Sequence, residues 1–294
     1  MSEMRQALRV VPGETQLADI DPRSTPGLPG RRTTGSDPKA WAREQVETIG
    51  AELFTEQEKL FADAKVDEAG GRSLLLVLQA RDCGGKDGTI KRVAGAMNPL
   101  GLRIVGFGAP TAEERRHDFL WRIRKALPPR GYVGVFNRSH YEDVLVVRVN
   151  ELAPESAWRP RYRKINDFER KLVAEGTVVV KVMLHISYEE QGQRLVERLN
   201  DPTKHWKYNP GDLDARARWD VYQAAYAEAL ERCSSDGAPW FVVPADRKWY
   251  RDWAVANLVR ETFAEMGLRY PKATFDVQAE LARLTAGERK KNAP

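Results

Sequence analysis

The sequence predicts an α/β fold: three layers, with a central parallel sheet of about five strands covered by helices on both faces. Two observations predict the sheet and a third orients it. Short apolar runs of strand composition at 74–78, 102–107, 132–136, 178–184 and 240–243 alternate with segments of helical character such as 111–127 and 160–175. Strands that alternate with helices are joined by crossovers, and crossovers make the pairing parallel. The first run then feeds the glycine-rich turn Ala80-Arg81-Asp82-Cys83-Gly84-Gly85-Lys86-Asp87-Gly88, after which Thr89 to Val93 opens a helix. Strand, loop, helix is the order of a phosphate cradle, and ligands of such sheets bind beyond the carboxyl ends of the strands.

Taken in order, residues 1–38 carry Pro12, Pro22, Pro26, Pro29 and Pro38 among Gly, Ser, Thr and Arg with no apolar period. They are expected to form a flexible arm. At Ser36-Asp37-Pro38 a helix can start, since Asp or Ser caps and Pro suits the first turn. Trp41, Val46, Ile49, Leu53, Phe54 and Phe61 then recur at helical spacing, which predicts a long amphipathic helix lying on the sheet.

In the loop that follows the first strand, Gly84, Gly85 and Gly88 let backbone N–H groups turn inward, while Lys86 supplies a full charge for phosphate oxygens. The match to the Walker pattern is partial: Ala80 stands at the first glycine and Asp87 at the Ser/Thr that normally reaches magnesium. Two carboxylates, Asp82 and Asp87, beside a phosphate site would repel the ligand unless a divalent cation screens them, and oxygen-only ligands suit Mg²⁺. A metal-dependent phosphoryl-transfer site is therefore expected. Cys83 reads as a small filler residue.

A second marker, Asn137-Arg138-Ser139-His140-Tyr141-Glu142-Asp143, ends the third strand. The acid that commonly holds magnesium at this place is the neutral Asn137, so binding must lean on Asp82 or another acid nearby. Arg138 is placed to pair with phosphate oxygens in bidentate fashion. Tyr141 reads either as a site residue or as core, Asp143 as a cap for a helix through Val144–Val147, and His140 and His185 as packed histidines. A third marker, 194–212, interleaves cations with aromatics and is punctuated by Pro202, Pro210 and Gly211. It reads as a flap over the donor, with a solvated helix pair as the plain alternative. Trp219, Tyr222, Tyr226 and Leu230 form a core stripe, and the cations of 246–251 follow the last strand at the same end of the sheet. Leu258, Phe263, Phe275 and Leu281 look structural, and residues 286–294 are expected to fray.

Composition narrows the classes. The 294 residues are 42% hydrophobic and 30% charged, no apolar run approaches a membrane span, and residues 1–30 lack a secretory layout, so a cytoplasmic protein without membrane contact is expected. Two cysteines exclude a disulfide framework. A net charge of +5 and pI near 9.1 favour an anionic partner, but the cations gather around the loop and flap and no base-reading motif occurs, which argues against nucleic acid.

Together the loop Asp82–Gly88, the segment Asn137–Asp143, Asp201-Pro202-Thr203-Lys204-His205-Trp206-Lys207 and Pro244-Ala245-Asp246-Arg247-Lys248-Trp249-Tyr250 resemble the polyphosphate kinase 2 family. The resemblance implies a P-loop kinase fold like that of thymidylate kinase, with a helical lid at 194–218 on a domain spanning 39–285. It implies phosphoryl transfer from inorganic polyphosphate to a nucleotide with Mg²⁺ or Mn²⁺. Asp82 would hold metal with Asn137, and Lys86, Arg138 and Arg198 would act on the transferring group. Cys83, Gly84, Gly85, Asp87, Gly88, Tyr141 and Glu142 would bind phosphate or nucleotide, and Arg81, Lys91, Arg92, Lys204 and Lys207 the polymer. Asn137 with Glu142 looks like the subgroup that takes AMP as well as ADP through to ATP. A homo-oligomer is expected. An ATP-dependent small-molecule or nucleoside kinase is the nearest competitor, and a non-enzymatic nucleotide- or nucleic-acid-binding module the remote one.

Overall fold

The computed structural model describes residues 3–66 and 71–291, with side chains to residue 286. Five strands, β1 (Ser73–Ala80), β2 (Leu102–Gly106), β3 (Val133–Asn137), β4 (Thr177–His185) and β5 (Trp240–Pro244), form one parallel sheet in the order β2-β3-β1-β4-β5. Central β1 is buried at every position, which is why it reads as an unbroken apolar run rather than an alternation. Its side chains still alternate in direction. Leu74, Leu76 and Leu78 enter one core, and Leu75 and Val77 the other.

The longer helices are α1 (Glu3–Leu8), α2 (Pro38–Val66), α3 (Lys86–Arg92), α4 (Arg161–Ala174), α5 (Tyr188–Asn200), α6 (Gly211–Ala217), α7 (Trp219–Cys233), α8 (Lys248–Met266) and α9 (Val277–Lys291). One face of the sheet is covered by α2 and α8, through Ile49, Leu53 and Leu60 and through Val255, Leu258 and Phe263. The other is covered by α4 and α7, through Ile165, Phe168, Tyr226 and Leu230. Asp37 caps α2 as expected, accepting from the N–H groups of Lys39 and Ala40 at 3.0 Å.

The N-terminal arm differs from the expectation. Met4, Leu8, Val10 and Leu17 are buried, Val10 N–H donates to the Trp240 carbonyl at 2.9 Å, and the Tyr250 hydroxyl donates to the Pro26 carbonyl at 2.6 Å. The arm runs along β5 and α8, so its scattered apolar residues are buried by tertiary contact rather than on a helical face. Segment 111–127 is helical only at Glu114–Arg116 and Trp121–Ala126, because its charged first half has no apolar face to bury. Asp143 caps no helix: it pairs with Arg161 at 2.8 Å, and Ser139 caps the single turn His140–Asp143. Phe275 and Leu281 are exposed, the backbone stays helical to Lys291, and the rest of the segment expected to fray, 292–294, lies outside the described residues.

Candidate active site

At the carboxyl end of β1 the chain turns through Cys83, with φ 63°, and Gly85, with φ 102°, into the first turn of α3. Both lie in the left-handed region, and at Gly85 the requirement is double. A Cβ there would fall 1.7 Å from a guanidinium nitrogen of Arg251, which packs against the loop from α8. Gly84 sits behind the loop, where a Cβ would meet that of Ala80 at 2.6 Å. Lys86 folds back so that its ammonium donates to the Ala80 carbonyl at 2.9 Å, and burial, with Arg138 nearby, lowers its proton affinity. It is a charge held beside the loop with little freedom.

The end of β3 faces it. Arg138, also left-handed at φ 65°, donates to Asp82 at 2.9 Å and to Glu142 at 3.3 Å. Burial works against its charge, but Glu142 and Asp82 outweigh it and raise its pKa. Glu142 is itself pushed above the usual carboxylate range by burial, with Arg138 and Lys86 opposing. Asn137 donates from Nδ2 to Asp87 at 2.8 Å, which leaves its carbonyl oxygen as the group able to meet a cation.

Helix α5 and the segment 201–217, the stretch expected to be a lid, form the third side. Ser187 caps α5, whose Arg194 and Arg198 share a face at i, i+4 spacing and turn inward together. Arg194 donates to the carbonyls of Cys83, Ala245 and Asp246 at 2.7–2.9 Å, tying α5 to the loop and to the end of β5. Arg198 donates to the Lys207 carbonyl at 3.0 Å and pairs with Asp212 at 3.3 Å, while burial and the nearby Asp82 push Asp212 up.

Between these elements lies a cleft of about 470 Å³. Among the described residues its walls carry eight cations, Lys86, Arg138, Arg194, Arg198, Lys204, Lys207, Lys248 and Arg251, against four acids, Asp82, Asp87, Glu197 and Asp212. Cys83, Gly85, Gly88 and Asn137 also line it. The charge balance suits a polyanion that brings its own cation. A smaller chamber adjoins it, lined by Glu142, Leu145, Val146, Tyr222 and Tyr226, and shares Asp82 and Arg138 with the cleft.

Four expected site residues lie elsewhere. Tyr141 is wholly buried, its hydroxyl bonded to Glu169 and Lys181, because the turn after Ser139 points it into the core. Arg81 stacks on the Trp219 ring at 3.6 Å, donates to Gln223, and borders the smaller chamber rather than the cleft. Lys91 and Arg92 occupy the far end of α3 and line a shallow groove against α2, with Arg92 paired to Asp252 at 3.3 Å. The motif reading missed Arg194, Glu197, Asn209 and Asp212, although the i, i+4 repeat of Arg194 and Arg198 was a readable signal.

Known proteins agree with this geometry. The family model described as Polyphosphate kinase 2 (PPK2) matches residues 43–285. An AMP/ADP-polyphosphate phosphotransferase of Meiothermus ruber is 44% identical over 265 residues, spanning 90% of this chain and 94% of the relative. An ADP-polyphosphate phosphotransferase of Rhodopseudomonas palustris is 39% identical over 268 residues, spanning 87% and 92%. The crystal structure of Polyphosphate Kinase 2 from Arthrobacter aurescens TC1 superimposes with a TM-score of 0.91 at 47% identity, covering 97% of each chain. With the loop, the β3 end and α5 around one cationic cleft and these matches over nearly the whole chain, the chain belongs to the polyphosphate kinase 2 family.

Proposed function

We propose that the protein transfers the terminal phosphoryl group of inorganic polyphosphate to AMP and ADP, forming ADP and ATP. One observation carries the reading: the cationic cleft and the chamber of about 40 Å³ ending on Glu142 share Asp82 and Arg138, so the terminal phosphates of a polyanion and an acceptor can converge at those two residues. An oxygen of the acceptor's terminal phosphate attacks the terminal phosphorus of the polymer. The bridging P–O bond breaks, and the shortened polymer leaves with that electron pair. Charge builds on the transferring oxygens in such a loose transition state, and Lys86, Arg138 and Arg198 are the fixed cations that offset it.

No residue need carry the phosphoryl group in between. Burial pushes the Cys83 thiol up to about 11, and His140 is buried against Glu169, outside the cleft. A divalent cation, Mg²⁺ or Mn²⁺, would supply positive charge against the phosphate oxygens. The donor set fits such an ion: the carboxylates of Asp82 and Asp212 and the amide oxygen of Asn137 line the cleft, and oxygen donors suit a hard divalent cation. Asp82, Asp212 and the Asn137 carbonyl are the residues that would hold it. Among the described residues no helix is long and apolar enough to cross a membrane. We place the protein in the cytoplasm without nucleic-acid partners, and the exposed Phe275, Leu281 and Leu284 support a homo-oligomer.

The test is incubation of pure protein with AMP, Mg²⁺ and long-chain polyphosphate, with nucleotides resolved by chromatography. ADP and then ATP are expected, and turnover seen only with ATP as donor contradicts the reading. In the same assay Glu142→Asn should lose AMP use selectively. Equal loss on ADP would remove Glu142 from acceptor choice.

A further inference from the structure

Behind the loop that carries Arg138 lies a polar cluster with no opening to the cleft. The ammonium of Lys181, on β4, is fully buried and donates to Glu169 Oε2 of α4 at 2.5 Å, to the Cys233 carbonyl at 2.6 Å and to the Tyr141 hydroxyl at 3.0 Å. Glu169 Oε1 accepts from the Tyr141 hydroxyl at 2.8 Å and lies 3.2 Å from His140 Nε2. One residue back, Ser139 Oγ accepts from Gln79 of β1 at 3.2 Å and from Tyr141 N–H at 3.2 Å. Ser139, His140 and Tyr141 are thus tied inward, while Arg138 and Glu142 on either side of them reach each other and border the site.

A buried ion pair is an expensive way to fill a core, because apolar residues of the same volume would pack there at equal or greater stability. What it adds is direction: Glu169 holds a carboxylate at one point, and the Tyr141 hydroxyl must meet it. Arg138 needs such a constraint, since a non-glycine residue keeps a left-handed backbone only where its surroundings over-determine it. Its own N–H donates to the Leu78 carbonyl at 3.0 Å, which fixes it to β1 on one side and leaves the other side to the cluster.

We propose that Lys181 and Glu169, acting through Tyr141, are positioning residues that aim Arg138 into the cleft. None of the three lines the cleft, so they act on the reaction only through the residues they hold in place, and the combined variant with Arg138→Ala separates a route through Arg138 from one through α7, whose Cys233 carbonyl Lys181 also holds. The positioning role rests on the phosphoryl-transfer reading for its readout alone. Should ATP prove to be the donor, the same variants are measured with ATP, so failure of the donor assignment and failure of the positioning role give different results.

The experiment uses the full chain and measures melting temperature, kcat and KM for Tyr141→Phe, Arg138→Ala and the two combined. Tyr141→Phe should melt close to the wild type and lose about tenfold in kcat with KM for both substrates unchanged, since misplacing one catalytic charge by a fraction of an ångström costs rate rather than binding. Because Tyr141 works through Arg138, the combined variant should be no slower than Arg138→Ala alone. Wild-type kcat in Tyr141→Phe, or losses that multiply in the combined variant, would overturn the proposal. The Lys181→Met/Glu169→Leu pair keeps the volume and removes the charges, so it should fold and lose kcat to the same extent. A folded pair at wild-type kcat would also overturn it.

Discussion

Lys86 is buried and Arg138 half-buried, so on the proposed reading each charge is screened less by water than that of a surface lysine and counts for more against a developing phosphoryl charge. Lys86 is anchored on the Ala80 carbonyl, and Arg138 on Asp82 and Glu142. Replacing either by Ala should lower turnover by at least about a hundredfold, or about 2.7 kcal/mol of transition-state stabilisation. Steady-state kinetics on folded variants checks this, and rates like the wild type's in either one would contradict these catalytic roles. That both line one cleft was legible in the sequence because each stands in a short motif whose backbone decides its direction. Tyr141 takes the core place the sequence left open for it, Arg81 borders the smaller chamber, and Lys91 and Arg92 lie away from the cleft, because their side chains point where the packing of neighbouring elements sends them. Aromatic and cationic residue types alone do not distinguish cleft from core.

Among the elements, the loop between β1 and α3 is the most constrained. Gly85 combines φ 102° with the close approach of Arg251, whose guanidinium is held in turn by Asp252 at 2.7 Å. An alanine there meets a left-handed penalty of about 1–2 kcal/mol and must also displace a buried arginine. Gly85→Ala is therefore expected to melt lower and to lose more than about tenfold in kcat, since the loop amides and Arg251 both shift. Unchanged kcat and melting temperature would show that Arg251 can yield without cost. The loop, β1 and α2 were readable because glycine placement, a caps-and-proline start and an apolar period are local signals. Segment 111–127 was not. Its apolar residues crowd into the second half, and only packing against Phe136 and Phe168 decides how much of it coils.

At the scale of the molecule, the sheet brings the ends of β1, β3 and β5 to one edge, and the arm braces the opposite flank of β5. His185 at the end of β4 lies under that arm, bonded to the backbone of Ile20, and burial together with Arg81 lowers its pKa from 6.5 to about 4. A buried neutral histidine binds fewer protons than its unfolded counterpart between these values, so its contribution is present above pH 6.5 and lost as pH falls towards 4. The loss amounts to about 3 kcal/mol. Denaturant melts at pH 7.5 and 5 should show a smaller drop in His185→Gln than in the wild type, and equal drops would sink the assignment. None of this was visible in the arm's sequence, because Met4, Leu8, Val10 and Leu17 share no period and find their burial on surfaces made elsewhere in the chain.

The central claim, that one cleft sets a polymer's end against a nucleotide, is tested most directly by single turnover with polyphosphate labelled at its terminal phosphoryl group. Label passing straight to AMP, with none recovered on denatured protein, is the predicted result. Label trapped on the protein, or AMP left unlabelled while ATP serves as donor, would contradict it.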